Sequence, residues 1–217
     1  MVLKACIFDL DGVIVDTAKY HYLAWKKLAT MLNINFTIED NERLKGVSRM
    51  ASLDIILEIG NMIPDDKTKE EYATLKNKWY LDYINQMMPD DILPGSLEFI
   101  SELKNAGIKV ALGSASKNTP LILERLGIGN LFDAVADGNV VSKAKPDPEV
   151  FVTAARMLGV PPENCIVFED AVAGIEAALN AGMRCVGIGS GKILKEAHFV
   201  VSGLDKMSLR KLKVLAK

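Results

Sequence analysis

The chain has 217 residues, enough for one large domain or two modest ones. Hydrophobic residues make up 49% of it and charged residues 25%, as in ordinary globular domains, so a mainly disordered chain is excluded. The 26 Lys and Arg against 28 Asp and Glu give a net charge of −2, which excludes a strongly basic nucleic-acid binder and argues against a polybasic membrane anchor.

The chain begins with a predicted strand and continues into predicted helices. Leu3–Leu10 is short, apolar and partly β-branched, and it leads into Asp11-Gly12, as is typical of a buried strand with polar residues at its carboxyl end. The next 75 or so residues, from about 17 to 91, indicate only helices, at Ala18–Leu32, Arg49–Ile59 and Lys67–Met87. We therefore expect residues 16–92 to form an all-helical cap domain, inserted into a core domain of residues 1–15 and 93–217.

Strands and helices alternate in the remainder of the chain. Further short apolar runs predict buried strands at Ile108–Leu112, Ala134–Ala136, Cys165–Phe168 and Cys185–Ile188. Helical patterns separate most of them, at Leu97–Ala106, Pro120–Leu126, Pro148–Leu158 and Ala173–Ala181. Such alternation indicates βαβ units, so the expected core is an α/β domain with a largely parallel sheet.

Residues suited to phosphate chemistry stand just after the predicted strands. They are Asp9, Asp11, Gly12, Ser114, Ala115, Ser116, Lys117, Asn118, Lys145, Glu169 and Asp170. Because ligands of open parallel sheets bind beyond the carboxyl ends of the strands, we expect these residues to lie together. Carboxylates are ligands for Mg²⁺, and hydroxyls and a lysine suit a phosphoryl group. Taken singly, each has a simpler explanation as a turn, a helix cap or a surface lysine.

The order of these segments carries a resemblance to a known family. Phe8-Asp9-Leu10-Asp11-Gly12-Val13 resembles the first motif of the haloacid dehalogenase-like phosphotransferases. Ser114, Lys145 and Glu169-Asp170 are similar to the second, third and fourth motifs, in order and along the whole chain. The resemblance implies a Rossmann-like parallel-sheet core with an inserted helical cap.

A closer resemblance, to the β-phosphoglucomutase family, rests on additional segments. They are Asp16-Thr17-Ala18, His21, Trp25, Leu44-Lys45-Gly46-Val47-Ser48-Arg49, Ser114-Ala115-Ser116-Lys117-Asn118 and Lys145-Pro146. The resemblance implies an isomerase that interconverts β-glucose 1-phosphate and glucose 6-phosphate through the 1,6-bisphosphate. The alternatives are a sugar-phosphate phosphatase of the same superfamily and an inactive member that serves as a binding module.

The resemblance also implies roles for the residues at the strand ends. Asp9 would be the nucleophile, and Asp11 would be the general acid and base, which is chemistry that carboxylates can perform. The expected Mg²⁺ ligands are Asp9, Asp11 through its backbone carbonyl, Glu169 and Asp170. The transferring phosphate would be held by Ser114, Ala115 and Lys145.

A second phosphate site is expected between the cap and the core. Arg49 at a helix N-terminus suits an anion, and Gly46 permits close backbone approach. The expected members are Lys45, Gly46, Val47, Ser48, Arg49, Lys76, Ser116, Lys117 and Asn118. Thr17, His21 and Trp25 share a helix face, where they either support Asp11 or simply pack. This second site is the feature that separates a mutase from a phosphatase.

The cysteines and the N-terminal sequence indicate in which cellular compartment the protein is expected. Cys6, Cys165 and Cys185 are odd in number and lack CxxC spacing, so neither a disulfide framework nor a zinc site is expected. No apolar stretch approaches the ~18–20 residues needed to cross a membrane, and no signal peptide is evident. We therefore expect a cytoplasmic enzyme that acts on a sugar phosphate, with no nucleic-acid or membrane partner. A cap closing over one active site needs no second subunit, so we expect a monomer.

Overall fold

Six parallel strands form one sheet in the computed structural model, which describes residues 2–215. The strands in chain order are β1 Ala5–Phe8, β2 Lys109–Gly113, β3 Ala134–Ala136, β4 Cys165–Glu169, β5 Arg184–Ile188 and β6 Phe199–Val201. Across the sheet their order is β3-β2-β1-β4-β5-β6. The predicted parallel α/β core is thus confirmed. The ends of the expected core range, residues 1, 216 and 217, lie outside the described residues.

Helices follow most of the strands and bury both faces of the sheet. They are α5 Ser96–Asn105, α6 Thr119–Leu126, α7 Glu149–Leu158, α8 Val172–Asn180 and α9 Leu209–Leu215. Successive residues of β1 point to opposite faces, so Phe8 packs on Phe168 and Phe99 on one side, whereas Ile7 packs in the cluster that contains Phe151 on the other. Because both faces are covered, the central strands are apolar except at their ends, where Lys109, Glu169 and Arg184 lie, as the sequence indicated.

The segment between β1 and α5 is helical. Its helices are α1 Ala18–Met31, α2 Ile38–Glu42, α3 Arg49–Ile59 and α4 Asp66–Ile84. They share a hydrophobic cluster of their own, with Trp25, Leu28, Phe36 and Ile56 at its centre. The short helix α2 was not predicted, although its capping box, in which Thr37 and Asp40 bond reciprocally, is visible in the sequence.

The chain enters and leaves this helical segment at adjacent points. Val15 and Ile92 form an antiparallel bridge, and the amide of Asp16 donates to the carbonyl of Asp91 at 2.8 Å. The Asp91 carboxylate accepts hydrogen bonds from Lys19 at 2.7 Å and from Tyr20 at 3.0 Å. The two connections are therefore tied to each other by backbone and side-chain bonds.

The last part of the core departs from the prediction. Strand β6 and helix α9 were not predicted; β6 has three residues and lies at the sheet edge, and α9 has seven. His198, just before β6, accepts a hydrogen bond from the amide of Cys185 at 3.2 Å and so joins this segment to β5. Within residues 2–215, no helix combines the length and apolar character that a membrane span requires.

Candidate active site

Three carboxylates meet at the carboxyl ends of β1 and β4. Phe8 and Phe168 are in register on neighbouring strands, which brings Asp9 beside Glu169 and Asp170. One carboxylate oxygen of each lies within 4.8 Å of the others. Gly12, at φ +80°, has no room for a side chain, because a Cβ there would overlap the Asp170 carboxylate. The loop after β1 can therefore approach Asp170 closely only with glycine at this position.

The charges of this cluster favour a cation. Burial raises the pKa of Glu169 to about 7, although Lys145 acts in the opposite direction. Burial, and then the charge of Glu169, raise the pKa of Asp170 well above its ordinary value. Carboxylate oxygens are the ligands that Mg²⁺ prefers, and the three carboxylates repel one another. A bound Mg²⁺ would offset their negative charge.

Lys145 lies beneath the carboxylates rather than on the surface. Its Nζ is 2.5 Å from Oδ1 of Asp9 and 2.7 Å from Oε2 of Glu169, and the residue is 2% exposed. Burial alone would lower the pKa of Lys145, but Asp9 and Glu169 raise it above its ordinary value. A buried ammonium held in this way is a fixed positive charge beside Asp9, which rules out the alternative of a solvated surface lysine.

The loop after β2 supplies hydrogen-bonding groups at the same edge. Ser114 is fully buried, and its Oγ accepts a bond from the amide of Ser116 at 3.1 Å. The Oγ of Ser116 accepts in turn from the amide of Asn118 at 3.2 Å. A Cβ at Gly138, after β3, would lie 2.5 Å from the carbonyl oxygen of Ala115. The absence of a side chain at Gly138 therefore allows the backbone after β3 to pack directly against this loop.

Asp11 has its own partners on α1. Thr17 donates a hydrogen bond to Oδ1 of Asp11, and Nε2 of His21 is 3.9 Å from the same oxygen. Burial, and then the charge of Asp9, raise the pKa of Asp11 to about 6. Both its protonated and its ionised forms are thus accessible near neutral pH, as a group that gives and takes a proton requires.

The predicted helix face continues into a buried lysine. Nζ of Lys76 is 3.0 Å from Nδ1 of His21 and lies over the rings of Trp25, at 4.5 Å, and Tyr80, at 4.7 Å. Burial, together with Arg49, lowers the pKa of Lys76 to about 7, and burial lowers the pKa of His21 well below its ordinary value. The Tyr80 hydroxyl is buried and finds no partner among the described residues.

A cavity of about 550 Å³ joins these groups to a second cluster. Gly46, at φ +73°, brings the loop before α3 against α8, where a Cβ would lie 3.0 Å from that of Ala171. Ser48 caps α3, and Arg49 is its first residue. The predicted residues that line the cavity are Asp9, Asp11, His21, Trp25, Lys45, Gly46, Val47, Ser48, Arg49, Lys76, Ala115, Ser116, Lys117, Asn118 and Asp170.

Four of the residues to which the resemblance assigns a role are buried and do not line the cavity. They are Thr17, Ser114, Lys145 and Glu169. Sequence reasoning also missed polar lining residues, namely Asn41, Ser52, Glu70, Thr74, Asn77 and Ser142. The spacing of Glu70, Thr74 and Asn77 along α4 is that of one helix face, but the sequence does not say that this face meets a ligand.

Mg²⁺ is expected to raise the melting temperature. An ion that binds only the folded state at 100 times its Kd stabilises by ~2.7 kcal/mol. For a chain of this size that is roughly 5–10 °C in Tm. Calorimetric scans with and without Mg²⁺ measure the shift, which Asp170→Asn should largely abolish. Asp82→Asn, a change at an exposed carboxylate outside the cavity lining, should leave the shift intact; equal shifts in both variants would contradict the assignment.

The chain is similar to known proteins over most of its length. A family model described as haloacid dehalogenase-like hydrolase matches residues 3–182. The β-phosphoglucomutase of Bacillus subtilis is 46% identical over 209 residues, covering 95% of this chain and 92% of that protein. The structure of β-phosphoglucomutase from Clostridium difficile matches with a TM-score of 0.94 and 43% identity, over 99% of this chain and 97% of the other. A phosphorylated carbohydrates phosphatase of Thermotoga maritima is 29% identical over 91% of this chain and 93% of that protein.

Proposed function

The chain belongs to the haloacid dehalogenase-like hydrolase family, and on this premise we propose that it is a mutase that interconverts β-D-glucose 1-phosphate and glucose 6-phosphate. The observation that supports this most is that Asp9 and Asp11 line the same cavity as Arg49 and the loop from Ser116 to Asn118. A bisphosphate intermediate needs one phosphate at the reacting aspartate and a place for the other, and this cavity offers both.

In the first half-reaction the Asp9 carboxylate attacks one phosphorus of the bisphosphate, and the bond from that phosphorus to the sugar oxygen breaks, which leaves a sugar monophosphate and the aspartyl phosphate. Asp11 gives its proton to that oxygen, which leaves as a hydroxyl. In the second half-reaction the free hydroxyl of a sugar monophosphate attacks the aspartyl phosphate, the bond from phosphorus to the Asp9 oxygen breaks, and Asp11 takes the proton of the hydroxyl, so that the bisphosphate forms. Lys145, whose Nζ lies 2.5 Å from Oδ1 of Asp9, holds the transferring phosphate with Ser114 and the Ala115 amide.

The residues that would hold Mg²⁺ are Asp9, Glu169 and Asp170, whose carboxylate oxygens lie together. The family resemblance adds the backbone carbonyl of Asp11 as a further ligand. When bound, the ion neutralises charge that develops on the phosphoryl oxygens. Glu169 has a further task, because it accepts bonds from Lys145 at 2.7 Å and from the amides of Asp170 and Ala171 at 3.1 Å each. It thereby orients the lysine that contacts Asp9.

Residues 16–92 act as a cap that opens and closes on the core, and closure removes water from Asp9. Thr17 and His21 hold Asp11 in place, and Trp25 packs against Lys76. A cap that closes over one active site needs no second subunit, so we propose a monomer. The three cysteines are free and buried in the described chain, which fits the reducing cytoplasm.

A sugar-phosphate phosphatase is the second candidate, supported by the similarity to the Thermotoga maritima phosphatase. Phosphorus NMR of the protein with β-glucose 1-phosphate, Mg²⁺ and a trace of the bisphosphate separates the two. Glucose 6-phosphate as the main product supports the mutase. Inorganic phosphate as the main product would overturn it in favour of the phosphatase.

Removing Arg49 should shift products towards hydrolysis. A guanidinium binds two phosphate oxygens at once, so Arg49→Ala is expected to weaken binding of the bisphosphate by roughly 10–100-fold. The ratio of glucose 6-phosphate to inorganic phosphate should fall, since the cap is held less firmly and water reaches Asp9. The matched control is Arg43→Ala, because Arg43 is a cap arginine that pairs with Glu58 at 2.8 Å outside the cavity lining. An unchanged ratio and affinity in Arg49→Ala would make Arg49 a surface charge only.

A further inference from the structure

The cap and the core touch along α4 and α6 through two side-chain hydrogen bonds. Nδ2 of Asn118 donates to Oδ1 of Asn77 at 2.9 Å, and Arg125 donates to Oδ1 of Asn85 at 2.8 Å. Asn77 and Asn118 both line the cavity, whereas Asn85 and Arg125 do not. The two bonds therefore join the same pair of helices, but only one of them reaches the candidate substrate site.

The Asn118 side chain does not cap the helix that it precedes. Asn118 stands at the N-cap of α6, where an asparagine side chain normally accepts a bond from the backbone of the first turn. Its side chain makes no such bond here and reaches across to the cap instead. Its backbone amide is held separately, by Oγ of Ser116. The orientation of the side-chain amide is therefore set by Asn77 rather than by the helix that Asn118 begins.

This orientation matters for binding a phosphate. A phosphate oxygen only accepts hydrogen bonds from an amide, so Asn118 must present an N–H to it. One N–H of Asn118 is fixed on the Asn77 oxygen, which leaves the second N–H and restricts its direction. We propose that Asn77 is a positioning residue that aims the Asn118 amide at the second phosphate of the bisphosphate. This inference rests on the proposed function only for the identity of that ligand.

The contact also links positioning to closure of the cap. Asn77 belongs to the segment 16–92 and Asn118 to the core, so the bond exists only while α4 lies against α6. In the open state Asn118 loses its partner and its amide rotates freely. The second phosphate site is then complete only in the closed state, and opening loosens it, as a bisphosphate that must leave and rebind reversed requires.

The test measures binding without turnover. Asp9→Asn protein, which cannot accept a phosphoryl group, is titrated with β-glucose 1,6-bisphosphate in a calorimeter. Adding Asn77→Ala should raise the Kd by roughly fivefold, as loss of one well-formed hydrogen bond does. Adding Asn85→Ala, which removes the other bond between α4 and α6, should leave the Kd within about twofold. In protein that already carries Asn118→Ala, the change Asn77→Ala should have no further effect on Kd, because its partner is gone.

Each outcome decides the inference. Equal Kd values with and without the Asn77→Ala change would overturn it, as would equal losses from the Asn77→Ala and Asn85→Ala changes, which would indicate cap adhesion alone. A full additional loss in the Asn118→Ala background would show that Asn77 does not act through Asn118. No measurable binding by the Asp9→Asn protein would overturn the inference together with the second phosphate site. A lack of glucose 6-phosphate from the unmodified protein refutes the mutase alone and leaves these Kd values to decide the role of Asn77.

Discussion

Asp9→Asn is expected to abolish the phosphoenzyme and to reduce mutase turnover by on the order of 10⁴-fold or more, as loss of a nucleophile does in other enzymes. An amide lacks the negative oxygen that attacks phosphorus. The change keeps the shape of the side chain, and Lys145 keeps Glu169 as a partner at 2.7 Å, so the fold should survive. The protein is incubated with bisphosphate that carries radioactive phosphorus. The measurement is the amount of acid-labile, hydroxylamine-sensitive radioactivity that remains on the protein.

The control for this experiment is Asp82→Asn, which removes one exposed carboxylate of α4 outside the cavity lining and should label normally. Circular dichroism of both variants checks that they fold. Label that persists on the Asp9→Asn protein would refute Asp9 as the nucleophile. Asp11 and Asp170 would then become the candidates, because they are the other aspartates that line the cavity.

Asp11→Asn is expected to slow turnover of sugar phosphates by ~10²–10⁴-fold, the usual contribution of a general acid and base. Asparagine still accepts the hydrogen bond from Thr17, so the loop after β1 should keep its place. The loss should be much smaller for phosphorylation of Asp9 by acetyl phosphate, because its leaving group departs without a proton. The measurement is therefore the ratio of rates with the two donors, in the variant and in the unmodified protein.

Equal losses with both donors would mean that Asp11 serves mainly to hold the metal ion. Thr17→Val provides a second comparison, since it removes the donor to Asp11 but keeps both carboxylates. If Asp11 is the acid and base, this variant should lie between the unmodified protein and Asp11→Asn for sugar phosphates. It should resemble the unmodified protein for acetyl phosphate.

The position of the three carboxylates could be predicted from the sequence, because a single property of parallel sheets determines it. Parallel strands bring their carboxyl ends to a common edge, so Asp9 and Glu169, which are 160 positions apart in number, become neighbours through the β1–β4 register. Buried strands are also the easiest elements to recognise, because both faces of the sheet are covered and the runs are apolar without interruption. The predicted first strand was nevertheless too long, since β1 ends at Phe8 and Leu10 lies in the loop.

Strand β6 and the contacts of α4 could not be predicted in this way. Strand β6 has three residues, of which only Val201 is buried, so the rule for strands covered on both faces does not apply to it. The hydrogen bond that Asn118 donates to Asn77, and the contact between Lys76 and His21, depend on how α4 is rotated and where it meets the core and α1. Tertiary packing sets that rotation, and single-residue chemistry does not reveal it. Asn77 could therefore not be singled out from the other polar residues of its helix.

The bridge between Val15 and Ile92 separates two parts of the chain that can vary independently. A long insert normally costs closure entropy, but here its ends are already joined, and doubling its length adds only ~0.6 kcal/mol. Helices can thus be lengthened, shortened or exchanged between these two points at little cost to the sheet. Such exchange replaces the wall of the cavity that Arg49 and Lys76 provide and leaves Asp9 and Lys145 untouched. The attack by Asp9 is in this sense independent of the inserted segment, whereas Asp11 depends on it through Thr17 and His21.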